Sequence, residues 1–237
     1  MEIHRPKGPI HGLRELAKEV GIIVLGVLIA LAAEQTVEWL HWHERAQQAE
    51  TQMHADAAAI LDAMMERQEI QACQDRRLIQ MQDRLLASGP DWTPMAVFYT
   101  RGPPKGSTYA HPMHVWPDTS WQNAVASTAA THLPDQVRAH YARIFAAADR
   151  SAQDQALEHE VASELNVLGQ HITLTPDGKI AFLRIVEAER ARNRLFGYEA
   201  GGVLRDFTAL GFDLEKARSA VRTRSLAYDM CVQAGLT

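Results

Sequence analysis

Residues 20–33 read VGIIVLGVLIALAA, an apolar stretch without a charged side chain. A helix that crosses the hydrocarbon core of a bilayer needs about 20 residues, so this stretch is short for a span by itself. The flanks lengthen it, because Lys18 can extend its ammonium group to the inner headgroups while Trp39 and Trp42 lie where aromatic side chains mark the far interface. As a helix, the segment from Lys18 to Trp39 measures roughly 31 Å. We therefore predict a transmembrane helix over residues 18–40.

A cleaved signal peptide and a buried core helix are the two alternatives for this segment. A charged start and a short apolar core also describe a secretory signal. However, no turn with a small-residue cleavage site follows, and residues 34–50, EQTVEWLHWHERAQQAE, keep a helical composition. A core helix of a soluble protein is disfavoured by the charged residues at both ends of the stretch. The sequence therefore favours an uncleaved membrane anchor.

The basic residues around this stretch predict its orientation. Four of them precede the apolar residues: Arg5, Lys7, Arg14 and Lys18. In about twenty residues after the span, Arg45 is the only Lys or Arg. Because cytoplasmic flanks carry the excess of basic residues, we expect residues 1–17 in the cytoplasm of a bacterium, the helix in its inner membrane and residues 41–237 in the periplasm.

One face of the predicted membrane helix carries small or slender side chains. These residues are Gly26, Ala30, Ala33 and Val37. Their spacings of four, three and four residues allow two membrane helices to approach closely. Glu34 lies beside this face and inside the Trp39 belt, where an isolated carboxylate is costly. We predict a helix–helix interface at which Glu34 accepts a hydrogen bond from another subunit. The alternative is an interfacial Glu34 in a locally thin bilayer, with incidental small residues.

Cys73 and Cys231 are the only cysteines, and they form neither a CxxC nor a CxxCH motif. In an oxidising periplasm we expect a disulfide between them, which would close a long loop and stabilise the fold by about 3 to 5 kcal/mol. Two buried free thiols are the alternative. The eleven histidines form no HExxH or comparable motif. The sequence therefore predicts neither a metal site nor a cofactor.

Helical patterns dominate the chain after residue 40 and predict an all-α fold, a helical bundle with one long proline-rich loop. The first helix is expected to begin near Gly12 or Leu13, to cross the membrane and to end near Gln71. A second helix is expected over residues 75–87, where Ser88-Gly89-Pro90 stops it.

Four more helices are expected in the second half of the chain. Their approximate ranges are 120–130, 134–170, 179–210 and 214–234. Gly201-Gly202 is expected to kink or divide the third of them. Residues 172–175, ITLT, have no obvious pairing partner, so no strand is expected.

Residues 89–117 form the predicted loop, which holds six of the ten prolines. A loop of this length is uncommon in a compact domain unless it carries a function or wraps the fold. Aromatic and histidine side chains make it a candidate binding loop: Trp92, Tyr99, Tyr109, His111, His114 and Trp116. The alternative is that these side chains pack the loop against the bundle.

Two stretches resemble a group of uncharacterised bacterial proteins with a single membrane span. Residues 18–35, KEVGIIVLGVLIALAAEQ, are similar to their N-terminal anchor, in which a Glu precedes an apolar run of this type. Residues 118–145, DTSWQNAVASTAATHLPDQVRAHYARIF, are similar to their pattern of an aromatic, a small-residue turn, a leucine and a Tyr-bearing helix. The usual Ser-Gly step is Ser127-Thr128 here. The resemblance implies a membrane topology and a helical outer domain, and it implies no activity.

The sequence also limits the function. It contains no GxSxG, Walker or dinucleotide-binding motif, and a net charge of −5 disfavours nucleic acid as a partner. The carboxylate pairs Glu158/Glu160 and Glu187/Glu189 are two residues apart and are expected on solvated helix faces.

We therefore predict that the protein is not an enzyme but a structural or accessory subunit. Its expected partners are the lipid bilayer and either other membrane-protein subunits or a second copy of itself. A periplasmic binding or sensing module that uses residues 89–117 is the alternative, and an enzyme or metal protein is a third.

Overall fold

The computed structural model describes residues 13–97 and 107–236. This part of the chain is all-α, as predicted, apart from one pair of short strands. The α-helices of the described ranges are α1 (Leu13–Ala87), α2 (Thr119–Ala126), α3 (Asp135–Leu165), α4 (Pro176–Ala209), α5 (Leu214–Arg224) and α6 (Leu226–Gln233). Two 3-10 turns, Ala129–His132 and Asn166–Gly169, follow α2 and α3. The chain divides between Gln48 and Ala49 into an N-terminal unit and a C-terminal unit.

Helix α1 is one uninterrupted helix of 75 residues. The prediction of an end near Gln71 and a new helix from residue 75 is therefore wrong. No Gly or Pro lies between these positions, so nothing there removes a backbone hydrogen bond. The Nε2 group of Gln71 donates to the carbonyl of Asn193 in α4 at 3.3 Å, which ties this turn to the bundle. The helix ends at Ala87, immediately before the predicted Ser88-Gly89-Pro90 stop.

Helix α2 is shorter than predicted because Thr128 adopts a left-handed conformation with a φ of 62°. This conformation is unfavourable for a β-branched residue and ends the helix, so the helix expected over residues 120–130 divides into α2 and a 3-10 turn. The helix expected over residues 134–170 likewise divides into α3 and the second 3-10 turn. At that division, Asn166 Oδ1 accepts the backbone N–H of Thr108 at 2.7 Å.

Helix α4 begins at Pro176, three residues before the predicted start at residue 179, because Pro176-Asp177-Gly178 forms its first turn. Thr175 caps it by accepting the backbone N–H of Gly178 through Oγ1 at 3.1 Å, and Pro176 occupies the first turn, where its missing N–H is not needed. The helix continues through Gly201-Gly202 to Ala209 without the expected division.

The helix expected over residues 214–234 is broken at Ser225. The backbone of Ser225 is extended, with φ −74° and ψ 122°, and its Oγ accepts the N–H of Tyr228 at 2.9 Å. This cap begins α6 after α5 has ended. The predicted disulfide between Cys73 in α1 and Cys231 in α6 is present, with Cα atoms 5.8 Å apart and a sequence separation of 158 residues.

One short antiparallel ladder corrects the expectation that no strand forms. Strand β1 (Asp91–Trp92) pairs with β2 (Ile172–Thr173), with Trp92 opposite Ile172. The partner of β2 thus lies at the start of the segment that the sequence predicts to be irregular. The backbone N–H of Leu174 extends the contact by donating to the carbonyl of Pro90 at 2.6 Å.

The core of the C-terminal unit lies around the second half of α1. Large apolar side chains from α1, β1, α3, the second 3-10 turn and α4 form one cluster: Leu78, Met81, Leu85, Trp92, Leu165, Leu168 and Val186. A smaller cluster surrounds the disulfide and includes Ile70, Ala227 and Leu236. Helix α1 is therefore the common wall against which α4, α6 and the loop that follows β1 pack.

Candidate functional site

Among the described residues, one helix near the N-terminus is long and apolar enough to cross a membrane. Its most apolar window has a mean hydropathy of 2.2, and none of that window is buried by the chain. The predicted interface residues Gly26, Ala30, Ala33, Glu34 and Val37 are all exposed on this part of α1. A Cβ atom added at Gly26 would meet no other atom, so the small face leaves room for a neighbouring helix.

The predicted membrane-interface residues lie on the same helix. Lys18 and Trp39 are exposed, and Trp42 is half-buried. The Trp39 ring stacks on His43 with centroids 5.2 Å apart, and the Arg45 guanidinium lies 5.4 Å from the centroid of the Trp42 ring. Amphipathic tryptophan rings are typical of the headgroup region of a bilayer.

The predicted binding loop is ordered along residues 107–118, a segment we call the strap. Tyr99, one of the candidate residues, lies outside the described residues. Trp92 precedes the strap in β1 and belongs to the core, where its Nε1 donates to the carbonyl of Leu168 at 2.8 Å. Trp116 Nε1 donates to Gln155 Oε1 in α3 at 3.2 Å, so both tryptophans pack the loop against the bundle.

Strap residues Tyr109 and His111 enter a buried polar cluster that the sequence did not predict. Its other members are Arg67 from α1, Glu158 from α3, and Glu189 and Arg192 from α4. Glu160 and Glu187 are exposed as expected, but Glu158 and Glu189 are only 2% and 0% exposed. The expectation that all four carboxylates face solvent is therefore wrong for the two that point towards α1 and the strap.

Each carboxylate of the buried polar cluster contacts one arginine and one residue of the strap. Arg67 Nη2 lies 2.5 Å from Glu158 Oε1, and His111 Nδ1 lies 3.7 Å from the other oxygen of Glu158. Tyr109 donates its hydroxyl to Glu189 Oε1 at 3.1 Å, and Arg192 pairs with Glu189 Oε2. Carboxylates can be held inside a protein when they are paired and hydrogen-bonded in this way.

The surroundings of the buried polar cluster shift the protonation of its members. Burial raises the pKa of Glu189, and the negative charge of Glu158 raises it further. Burial lowers the pKa of His111 to about 4, and the positive charge of Arg67 lowers it too. Burial raises the pKa of Tyr109 well above its ordinary value. At neutral pH the cluster therefore holds a neutral imidazole and a phenol that remains a hydrogen-bond donor.

Chemically, the buried polar cluster fastens the strap to the helices. Arg67 is buried so completely that its Nε and Nη1 atoms are shielded from solvent. Neither atom meets a hydrogen-bond acceptor in the part of the chain that the structure describes. Its guanidinium lies instead over the ring of Phe196, 4.6 Å from the centroid. A substrate would reach these groups only if the strap moved, so the cluster acts as internal support.

A second set of polar groups faces solvent in a groove, which we call the polar groove. It lies between α1, the strap and the junction of α5 with α6, with a volume of about 370 Å³. Its charged and polar lining residues are Asp62, Glu66, His114, Arg224 and Ser225, and its apolar ones are Ala59, Ala63, Val115, Ala220 and Val221.

Two side chains fix the position of Glu66 in the polar groove. His114 Nε2 lies 2.7 Å from Glu66 Oε2, and Ser225 Oγ donates to Glu66 Oε1. These contacts outweigh burial and lower the pKa of Glu66, which keeps its carboxylate charged. Of the strap candidates named from the sequence, only His114 reaches this groove.

The sequence contained a signal for the buried glutamates. In α4 the buried positions Val186, Glu189, Asn193 and Phe196 follow one another by three or four residues, so Glu189 lies on an apolar helix face. Glu158 has the same relation to Ala162 and Leu165 in α3. Asp62 and Glu66 share one face of α1, but nothing in the sequence brings Arg224 to them.

In the described ranges, no group of three or more His, Cys, Asp or Glu side chains has an arrangement that could hold a metal ion. In comparisons with known proteins, no family model, no curated protein and no solved structure matches the chain. The resemblance of residues 18–35 and 118–145 to single-span bacterial proteins therefore stays a prediction.

Proposed function

We propose that the chain is a single-pass inner-membrane protein whose periplasmic C-terminal unit serves as a non-catalytic accessory subunit of a membrane complex or homo-oligomer. The observation that carries this proposal is the bare apolar part of α1, of which no residue is covered by the rest of the chain. Ile22, Ile23 and Ile29 are each more than 60% exposed. Burying a side chain of this kind is worth about 1.5 to 3 kcal/mol, which a bilayer would supply for all of them.

The disulfide supports the proposed compartment. Cys73 and Cys231 both lie in the C-terminal unit and are joined, and disulfides persist in oxidising compartments such as the periplasm. The excess of basic residues before the apolar stretch favours the same orientation.

The small face of α1 supports the role of a subunit. Without a hydrophobic driving force in lipid, membrane helices associate through close packing at small residues and through hydrogen bonds. Close packing is possible at Gly26, Ala30 and Ala33. A hydrogen bond is possible at Glu34, whose carboxylate is an acceptor that is costly to leave unpaired in lipid. In a symmetric dimer two Glu34 carboxylates would face one another, so a partner that carries a donor fits this face better.

The experiment is size analysis of the full chain in mild-detergent extracts of the cells that produce it, so that partner subunits are retained, with a Leu substitution on the small face. We expect a mass well above 26.4 kDa, and we expect Ala30→Leu to disperse the assembly. Ala32→Leu is the matched control, because residue 32 lies on another side of the helix and should leave the mass unchanged. A chain that migrates as a monomer before any substitution would contradict the accessory role.

A second candidate function is a periplasmic binding or sensing module. The polar groove favours it, since a concave surface with a few fixed polar groups is typical of ligand sites. Thermal unfolding of the full chain in detergent with a panel of small metabolites tests it. An increase in the unfolding temperature with one ligand class would support this function, and no shift with any of them would reject it.

A further inference from the structure

The polar groove carries opposite charges that do not neutralise one another. Asp62 lines it from α1 and Arg224 from the last turn of α5. Burial raises the pKa of the Asp62 carboxyl, while the positive charge of Arg224 acts in the opposite direction, so each charge is within electrostatic reach of the other. Within the described parts of the chain, neither side chain forms an ion pair or a hydrogen bond. Both groups are therefore available to a third partner.

Glu66 supplies a second negative group in a fixed position. It follows Asp62 by about one helical turn, so the two backbone positions lie about 6 Å apart along the axis of α1 and their side chains project from the same face. Glu66 is held by His114 and Ser225, yet each carboxylate oxygen can accept more than one hydrogen bond. A ligand would meet, on the same wall, one carboxylate held by two side chains and one carboxylate without a partner among the described residues.

The signs of these charges select the class of ligand. A simple anion would be repelled by the carboxylates of Asp62 and Glu66, and a simple cation would be repelled by the guanidinium of Arg224. A molecule with an ammonium group and a carboxylate separated by one carbon satisfies both sides. Its remaining part would contact the apolar walls formed by Ala63, Val115 and Val221.

We propose that the polar groove binds a small zwitterion of the α-amino acid class, with the ammonium group on Asp62 and Glu66 and the carboxylate on Arg224. The volume of about 370 Å³ lies in the range of small-molecule sites, and the alanine and valine walls favour an aliphatic side chain. This inference deepens the binding function named second above. It does not depend on the membrane span, because none of its residues lies in the apolar stretch.

Isothermal titration calorimetry on the full chain in detergent tests the proposal with three probes that differ in charge. L-leucine carries both groups, leucinamide lacks the carboxylate and N-acetyl-leucine lacks the ammonium group. We expect L-leucine to bind and each of the other two to bind about tenfold more weakly or not at all, since each loses one charge-assisted contact.

Two single substitutions locate the binding site. Asp62→Asn and Arg224→Gln should each weaken L-leucine binding by about tenfold. Both side chains are exposed and unpaired in the described fold, so the variants should fold normally. Asp149→Asn and Arg138→Gln remove an exposed and a half-buried charge of α3, both outside the groove, and should bind L-leucine as the parent chain does.

Three outcomes would overturn the proposal. The first is no binding of L-leucine, L-alanine or L-glutamine at millimolar concentration. The second is equal binding of L-leucine and leucinamide, which would mean a site for simple cations. The third is unchanged binding in both groove variants, which would place the ligand elsewhere. Because membrane retention and oligomer mass are measured separately, none of these results would decide the proposed membrane role.

Discussion

Arg67 and Glu158 are 91 positions apart in the chain, yet Nη2 of the first lies 2.5 Å from Oε1 of the second. Both side chains are 3% exposed. This pair joins the middle of α1 to α3 at the place where the strap crosses them. It is also the contact on which the position of His111 depends, since His111 faces the other oxygen of Glu158.

Removal of one partner of this pair should destabilise the C-terminal unit strongly. Arg67→Met keeps the volume of the side chain but leaves the Glu158 carboxylate buried without its cation. We expect the free energy of unfolding to fall by about 3 to 5 kcal/mol, measured by urea unfolding of the full chain in detergent. Arg138→Met is the matched control, because its pair with Asp135 is on the surface and should contribute less than about 1 kcal/mol. A similar loss of unfolding free energy in the two variants would show that the buried pair stabilises the fold no more than the surface pair does.

Acidification should weaken the fold through His111. Its pKa is about 4 in the folded chain and near 6.5 when unfolded, so the unfolded state takes up the proton first as the pH falls. The contribution of a neutral His111 is therefore complete above pH 6.5 and is lost between 6.5 and 4, at a cost of about 2 kcal/mol. Urea unfolding at a series of pH values should show this fall in the parent chain and a flatter profile in His111→Gln.

Protonation of Glu189 should stabilise the fold as the pH falls, which is opposite to the effect of His111. The pH profile of the parent chain therefore has to be compared with that of His111→Gln. The pKa of Glu189 is raised in the folded state, so folding favours its protonated form and its burial becomes less costly as the pH falls towards the ordinary glutamate value. Glu158, Arg67 and His159 also face His111. All four groups are retained in the variant, so the difference between the two profiles reports His111. Superimposable profiles would contradict its assigned role.

Opening of the disulfide should release α6 from α1. The Cys73–Cys231 bond closes a loop of 158 residues, and bonds that close long loops stabilise folds by about 3 to 5 kcal/mol. We expect a loss of this size in the Cys73→Ala/Cys231→Ala double variant, measured by urea unfolding. The parent chain should react with a thiol reagent only after reduction. Reaction without a reductant would show that the cysteines are free.

Local signals in the sequence predicted much of the architecture. The apolar stretch and the stop at Ser88-Gly89-Pro90 each depend on residues that are neighbours in the chain, and the structure has both. The pairing of the cysteines was also predictable, because only two are present. The helix features depend on interactions between residues close in sequence, and the disulfide has only one possible pairing.

The rest of the fold depends on contacts between distant residues. Ile172–Thr173 forms a strand only because Asp91–Trp92 lies beside it, and Glu158 is tolerated inside only because Arg67 reaches it from α1. The break at Ser225 is fixed in part by Glu66, which accepts a hydrogen bond from the serine hydroxyl. The polar groove was missed for the same reason, since its opposite walls are separated by more than 150 residues of sequence.

The most direct test of the proposed function is the location and length of the mature protein in bacterial cells. The full chain, detected through a C-terminal tag, would be followed through separation of soluble and membrane fractions and an alkaline carbonate wash, and its N-terminal sequence would be determined. We expect the chain in the washed membranes with residues 20–33 retained. A chain found in the soluble fraction, or one that begins after residue 33, would contradict a membrane span in the mature protein.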